Sequence, residues 1–176
     1  MIKKSLCIIV FSFVALTLFS CARVSGSISD GVDGMLTSEE IVNSLVSASP
    51  SGDGYQTVDV DYISRMNFGD DYAVLADALA DWCVVTSARP EVNADIIGVF
   101  RLQNSADVPL AARVINEYVA AQKQRMASTF SSYAPSQMPK IDNAEVTRCG
   151  NYFLVTFLDE AREDAAEEMF EDMLDR

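Results

Sequence analysis

The segment that most constrains this chain is Tyr152-Phe-Leu-Val-Thr-Phe-Leu158, which is apolar on both of its alternating faces. Successive side chains of a strand point to opposite sides, so Tyr152, Leu154 and Leu158 share one face, and Phe153, Val155 and Phe157 the other. A strand of this kind is central to its sheet and covered on both sides. Ala144–Cys149 precedes it, and Gly150-Asn151 between them is a two-residue hairpin turn, because both residue types tolerate positive φ. If one face were open it would be a binding surface. The short N-terminal helices are the expected cover.

A second hairpin is read upstream. Trp82–Ala88 is rich in β-branched residues, Pro90–Asp95 is a turn, and Ile96–Leu102 is the returning strand. Each hairpin is followed by a helix. Asp107 caps the longer one, with Pro109 in its first turn, where a missing N–H does no harm. Ala111, Val114, Ile115, Tyr118, Val119, Met126 and Phe130 form its apolar stripe, and it stops near Ser132. Asp159–Leu174 is the last helix, acidic on its outer side. Further upstream, Thr37 and Glu40 form a capping box for a helix ending near Ala48. Short helices are expected from about Asp59 to Phe68-Gly69 and from Asp71 to Ala80. The predicted fold is α+β: a mainly antiparallel four-stranded sheet of two hairpins, with the following helices on one face and extra short helices at the N-terminal side.

The first residues give an address. Lys3 and Lys4 precede Leu6–Phe19, an uncharged, mostly apolar run of 14 residues, and Leu18-Phe-Ser-Cys21 closes it. This is the layout of a secretory signal, residues 1–20, ending in a lipidation site. Cys21 becomes the lipidated first residue, and 21–36, rich in Ser, Gly and Asp, is a flexible tether to a domain over 37–176. The competing reading is an uncleaved anchor from Ser5 to Ala22, at the lower edge of spanning length. The expected location is extracytoplasmic, held to the bacterial cell membrane or outer membrane by the lipid.

Composition sets exclusions. There are 13 Lys and Arg against 26 Asp and Glu, a net charge of −13, and loss of Lys3 and Lys4 would make it −15. Such a surface repels nucleic-acid phosphates, so no nucleic-acid partner is expected. With no histidine, Ser-His-Asp and Cys-His catalysis and histidine-ligated zinc are excluded. Cys7 leaves with the signal. Cys83 and Cys149 fit a disulfide and two free buried thiols equally well.

Four segments resemble a known family in the right order: Ala94-Asp-Ile-Ile-Gly-Val-Phe100, Tyr118-Val-Ala-Ala-Gln-Lys-Gln-Arg-Met126, Phe130-Ser-Ser-Tyr-Ala-Pro135 and Cys149-Gly-Asn-Tyr-Phe-Leu-Val155. The stretch 59–173 is similar to small bacterial lipoproteins that carry the uncharacterised domain of unknown function 4358. The resemblance implies a lipobox, an acidic Ser/Gly tether and this domain. It implies no activity and no site residues, and Cys83 and Cys149 are not part of its pattern.

The chemical constellations are few. Ser29–Glu40 reads in its second half like a calcium-binding loop, with Asp33, Gly34, Leu36 and Glu40 in place. Ser29 and Gly31 stand where carboxylates belong, and Glu40 is already a capping partner. Asp59, Asp61, Asp70 and Asp71 are paired acids that more often begin helices than share acid–base work. Arg113, Lys123, Gln124 and Arg125 give the long helix a basic side, either solvated or docked on the acidic last helix. Tyr133–Pro139 is a proline-punctuated connector, pinned by Tyr133 or used in recognition. No catalytic residue, metal ligand or cofactor is assigned. The expected function is non-enzymatic binding of an envelope protein or small ligand. A hydrolase using carboxylates alone and a weakly calcium-responsive protein are the alternatives, and a transporter's oligosaccharide-binding component is a weaker one.

Overall fold

The computed structural model describes residues 35–175. The expected signal, the lipid site Cys21, most of the tether and the first half of the Ser29–Glu40 loop lie outside the described residues.

Thr37 caps the first helix, α1 (Ser38–Ala48), as its sequence predicts: its hydroxyl accepts the Glu40 N–H while the Glu40 carboxylate accepts the Thr37 N–H at 2.8 Å. Ile41, Val42 and Leu45 are its buried stripe. The chain turns through Gly54, at φ +77, into a short strand, β1 (Tyr55–Thr57). The helix expected from Asp59 is instead split. A 3-10 turn at Val60–Tyr62 carries Asp59 as its cap, and α2 (Arg65–Phe68) ends at Gly69, whose φ of +68 suits glycine. The break at Ile63-Ser64 lets the Tyr62 ring turn inward onto Trp82.

Next come α3 (Tyr72–Ala78), β2 (Leu79–Ser87), β3 (Ile96–Leu102), α4 (Val108–Tyr133), α5 (Met138–Asn143), β4 (Glu145–Cys149), β5 (Tyr152–Phe157) and α6 (Glu160–Leu174). The strand begins three residues earlier than Trp82, so Leu79 is buried as strand rather than helix. The proline-punctuated connector holds a further 3-10 turn and α5, whose Ile141 is buried with Phe130 and Ala94. Proline at the start of each is compatible with helical geometry there.

The fold is α+β. All neighbouring strands are antiparallel, in the order β1-β2-β3-β5-β4, so the sheet has five strands rather than four. Both hairpins form. Gly150 alone takes positive φ, +56, in the second turn. β5 lies between β3 and β4, and all six of its residues are buried. Its neighbour β3 packs closely at Gly98: an added Cβ would stand 3.2 Å from Val84 Cγ2 and 3.3 Å from the Phe100 ring, so those side chains would have to give way by a few tenths of an ångström.

The expectation that both later helices share one face is wrong. The α4 stripe, with α2 and α3, packs on Val84, Phe100, Phe153, Val155 and Phe157. On the opposite face, Ala166 and Phe170 of α6 join the α1 stripe over Val85, Ile97, Val99 and Leu154. With both sides of β5 apolar, each needs a helical layer. The α1 helix is thus the expected N-terminal cover, but it shares that face with α6.

Candidate functional site

Both sheet faces are closed, so an accessible surface on the sheet must be at an edge. β1 is only three residues long. It pairs with Val85–Ser87, and the Val58 N–H donates to the Val84 carbonyl at 3.0 Å. Asp59 then caps the 3-10 turn and leads the chain away. Below Val84, β2 has β3 on one side and, among the described residues, no strand on the other.

A cleft of about 560 Å³ runs along this bare stretch. Glu39 and Asn43 of α1 form one wall, Val58, Val60 and Ala76 line it elsewhere, and β2 from Leu79 to Cys83 contributes the sheet edge. Val60 is 82% exposed. No lysine or arginine lines the cleft among the described residues.

The cleft's reactive-looking groups are committed elsewhere. Asp81 follows an irregularity at Ala80 that shifts the β2–β3 register. One Asp81 oxygen accepts the Arg101 guanidinium, with Nε at 2.8 Å, and the other accepts the Ser38 N–H at 3.0 Å. Burial pushes the Asp81 pKa up, but these hydrogen bonds outweigh it and hold the carboxyl below its ordinary range. Cys83 is pushed up by burial and then by the charges of Glu39 and Asp81, so its thiol stays protonated and a poor nucleophile. Trp82, the single tryptophan, stacks on Tyr62 with centroids 6.1 Å apart.

Cys83 and Cys149 are both free. The disulfide is ruled out by topology: β3 and β5 lie between β2 and β4, and three strand spacings of about 4.8 Å far exceed the roughly 7 Å limit between bridged Cα atoms.

The paired acids are structural. Asp59 caps a 3-10 turn that contains Asp61, Asp70 pairs with Arg65, and Asp71 pairs with Arg113 at 2.7 Å. Glu40 is held in its capping box, the role that competed with calcium ligation. The basic side of α4 meets its own layer and the start of β4, not α6. Lys123 Nζ donates to the Ala144 carbonyl at 3.0 Å and Arg125 to Asn67 at 3.5 Å. Tyr133 pins its connector by donating to the Glu91 carbonyl at 2.5 Å.

Two clusters escaped sequence reading. Asp95, 1% exposed, accepts Lys140 Nζ at 2.6 Å and Arg162 at 2.9 Å. Its signal is a lone charge directly ahead of an apolar strand. At the β4 edge, outside the cleft, the Glu145 carboxyl faces that of Glu167. Thr147 donates to Glu167, and Thr156 donates to the buried Glu163 at 2.7 Å. The hydrogen bond to Glu167, then burial and the charges of Glu167 and Glu163, push Glu145 up to about 7, with Lys123 opposing. Burial first, and Glu167 and Asp164 after it, also raise Glu163.

A folded-state pKa above the unfolded one means the native chain holds a proton that the unfolded chain releases, so stability falls as pH rises from about 4.5 to about 7. Glu145→Gln flattens that slope and raises stability at pH 8. Glu145 is exposed, so the gain is at most about 1 kcal/mol. Urea unfolding of both forms at pH 5 and pH 8 checks it; an unchanged pH slope would reject the raised Glu145 pKa.

No family model matches this chain. Comparison with curated proteins and with solved structures likewise finds no match. Among the described residues, no helix is long and apolar enough to cross a membrane.

Proposed function

We propose that this protein is a lipid-anchored, extracytoplasmic binding module without enzymatic activity. Cys21 carries the lipid, residues 21–36 form the tether, and the domain presents its β2 cleft to another component of the cell envelope. The observation that carries this reading is the cleft along a strand edge left unpaired among the described residues, in a domain whose sheet faces are both covered. The resemblance to lipoproteins with domain of unknown function 4358 supports the anchor and tether. The signal layout before Cys21 supports export.

The cleft favours binding over hydrolysis. A carboxylate hydrolase needs two acids facing each other across its substrate, one of them free to give a proton. The cleft's acids are Glu39 and Asp81, and both Asp81 oxygens are occupied by Arg101 and Ser38. The Glu145–Glu167 pair has a suitably raised pKa but stands at the β4 edge away from that cleft.

Fractionation of cells producing the natural chain and Cys21→Ser tests the anchor. The natural chain is expected in the membrane fraction, released only by detergent, and Cys21→Ser in the soluble extracytoplasmic fraction. A variant that stays membrane-bound would overturn the lipid site. A photo-cross-linking residue at Ala76, in the cleft, is expected to capture a stoichiometric envelope component that the same residue at Glu168, on α6, does not capture. Equal capture at the two positions would reject the cleft as the binding surface.

A further inference from the structure

We propose that the β2 cleft is a strand-addition site, which takes an extended segment of a partner protein with basic and apolar side chains in alternation. The inference rests on the binding-module reading and specifies its ligand.

The backbone supplies the first argument. The Val84 carbonyl points to the β1 side, because the Val58 N–H donates to it. Backbone groups of alternate strand residues point the same way, so Trp82 presents its N–H and carbonyl to the same edge. Among the described residues no strand lies beside them. The register shift next to Ala80 ends the regular edge on the far side. An incoming strand therefore continues the line of β1 from the point where Val58 leaves it. Exposed edges are normally blunted or covered, because unpaired N–H and carbonyl groups template pairing with another chain. Added strands gain affinity from such main-chain bonds and specificity from pockets for alternate side chains.

The cleft walls supply the second. Side chains of the added strand would alternate between the two faces of the sheet. On the α1 face they meet Glu39 and Asn43, and on the other Val60 and Ala76. Val60, 82% exposed, is an apolar wall left largely uncovered among the described residues. The α1 wall carries the Glu39 carboxylate and, among the described residues, no lysine or arginine lines the cleft, so it selects a basic side chain. The same charge argues against a second copy of this chain as occupant, since each copy carries −13.

Trp82, the single tryptophan, lines the cleft and reports its occupancy. The test uses the lipidated chain in a neutral detergent and three synthetic probes. One is a capped peptide of alternating lysine and valine, the second its glutamate–valine counterpart, and the third the lysine peptide N-methylated on alternate backbone nitrogens, made in both phases. The lysine peptide is expected to change Trp82 emission saturably, and the glutamate peptide to leave it unchanged. N-methylation in one phase, and separately Glu39→Lys, should each weaken binding about tenfold or more. Ala76→Arg, on an exposed helix position, weakens it from the opposite wall and serves if Glu39→Lys shifts the thermal midpoint. Equal binding of both N-methylated forms and the parent would overturn strand addition, as would no saturable response to the lysine peptide. Indifference to both charge variants would overturn the assigned basic register. If these probes fail while Ala76 still captures an envelope component, the binding module stands and strand addition falls.

Discussion

Replacing Asp95 by alanine lowers the thermal midpoint of the domain by roughly 10 °C, the expected result of removing about 3 kcal/mol from a domain of this size. The Asp95 carboxylate is 1% exposed and sits between Lys140, at 2.6 Å, and Arg162, at 2.9 Å. Arg162 also reaches Tyr55 and, at 3.1 Å, the Ser49 carbonyl, while Ser49 donates to the Arg162 carbonyl at 2.9 Å. One carboxylate thus ties the start of β3 to α5, α6, the end of α1 and β1. Without it, two largely buried cations lose their shared counter-charge, and that desolvation cost sets the size of the loss. Burial pushes the Asp95 pKa up, but the hydrogen bond from Lys140 and the charges of Lys140 and Arg162 bring it below the ordinary carboxylate value. A depressed pKa contributes stability above the unfolded value near 3.8 and loses it as pH falls through the folded one. The natural chain and Asp95→Ala should therefore converge in strong acid and differ fully at pH 7. Thermal unfolding across that range checks both. A pH-independent difference would mean that packing, not charge, is lost. Lys140→Met added to Asp95→Ala should cost less than the two single losses combined, because the methionine removes one stranded cation.

Phe100→Ala is expected to cost about 3–5 kcal/mol, a large part of the 5–15 kcal/mol that typical domains have in total. Phe100 is fully buried on β3, opposite Trp82 on one neighbouring strand and Phe153 on the other. Its ring lies against Gly98, where an added Cβ would stand 3.3 Å from it. Phe68 meets it edge-on at 5.9 Å and itself stacks on Tyr118 at 4.4 Å. Tyr118 contacts Tyr62, and Tyr62 stacks on Trp82 at the cleft. Close-packed rings cannot collapse into the space a missing phenyl leaves, so the cavity persists and its cost is high. Phe100→Leu should cost about 1–2 kcal/mol, since most of the volume is kept. Urea titration followed by Trp82 fluorescence and by circular dichroism measures the loss. A midpoint shift equivalent to under about 1 kcal/mol for Phe100→Ala would show that the site repacks freely.

The elements that sequence revealed are those governed by local rules. The capping box of Thr37 and Glu40 starts α1 because both partners lie within one turn. Gly150-Asn151 closes its hairpin because a two-residue turn requires positive φ, here taken by Gly150. The stripe from Ala111 to Phe130 marks α4 because helical period and burial coincide, although Gln122 is buried in it and Met126 only partly. The two-sided apolarity of Tyr152–Phe157 identifies the centre of the sheet.

What the chain's order left open was assigned by tertiary structure. Amphipathic period does not say which sheet face a helix will take, and so α6 joined α1 opposite α4. β1 has too few residues to carry a strand signal and forms because Val85–Ser87 offer a partner, with Tyr55 fastened to Ser49 and Arg162. Cys83 and Cys149 are far apart only because β3 and β5 come between them. The Asp95 clamp, the Glu145–Glu167 pair and the β2 cleft all join residues distant in sequence, through distances that side-chain chemistry alone does not encode. Acidic charge and the local elements could be read along the chain, since composition needs no fold and each element depends on residues adjacent in sequence. That both sheet faces are covered, and that the β2 edge beyond β1 borders a cleft among the described residues, came from tertiary packing, because layers and edges are settled by which distant surfaces bury one another.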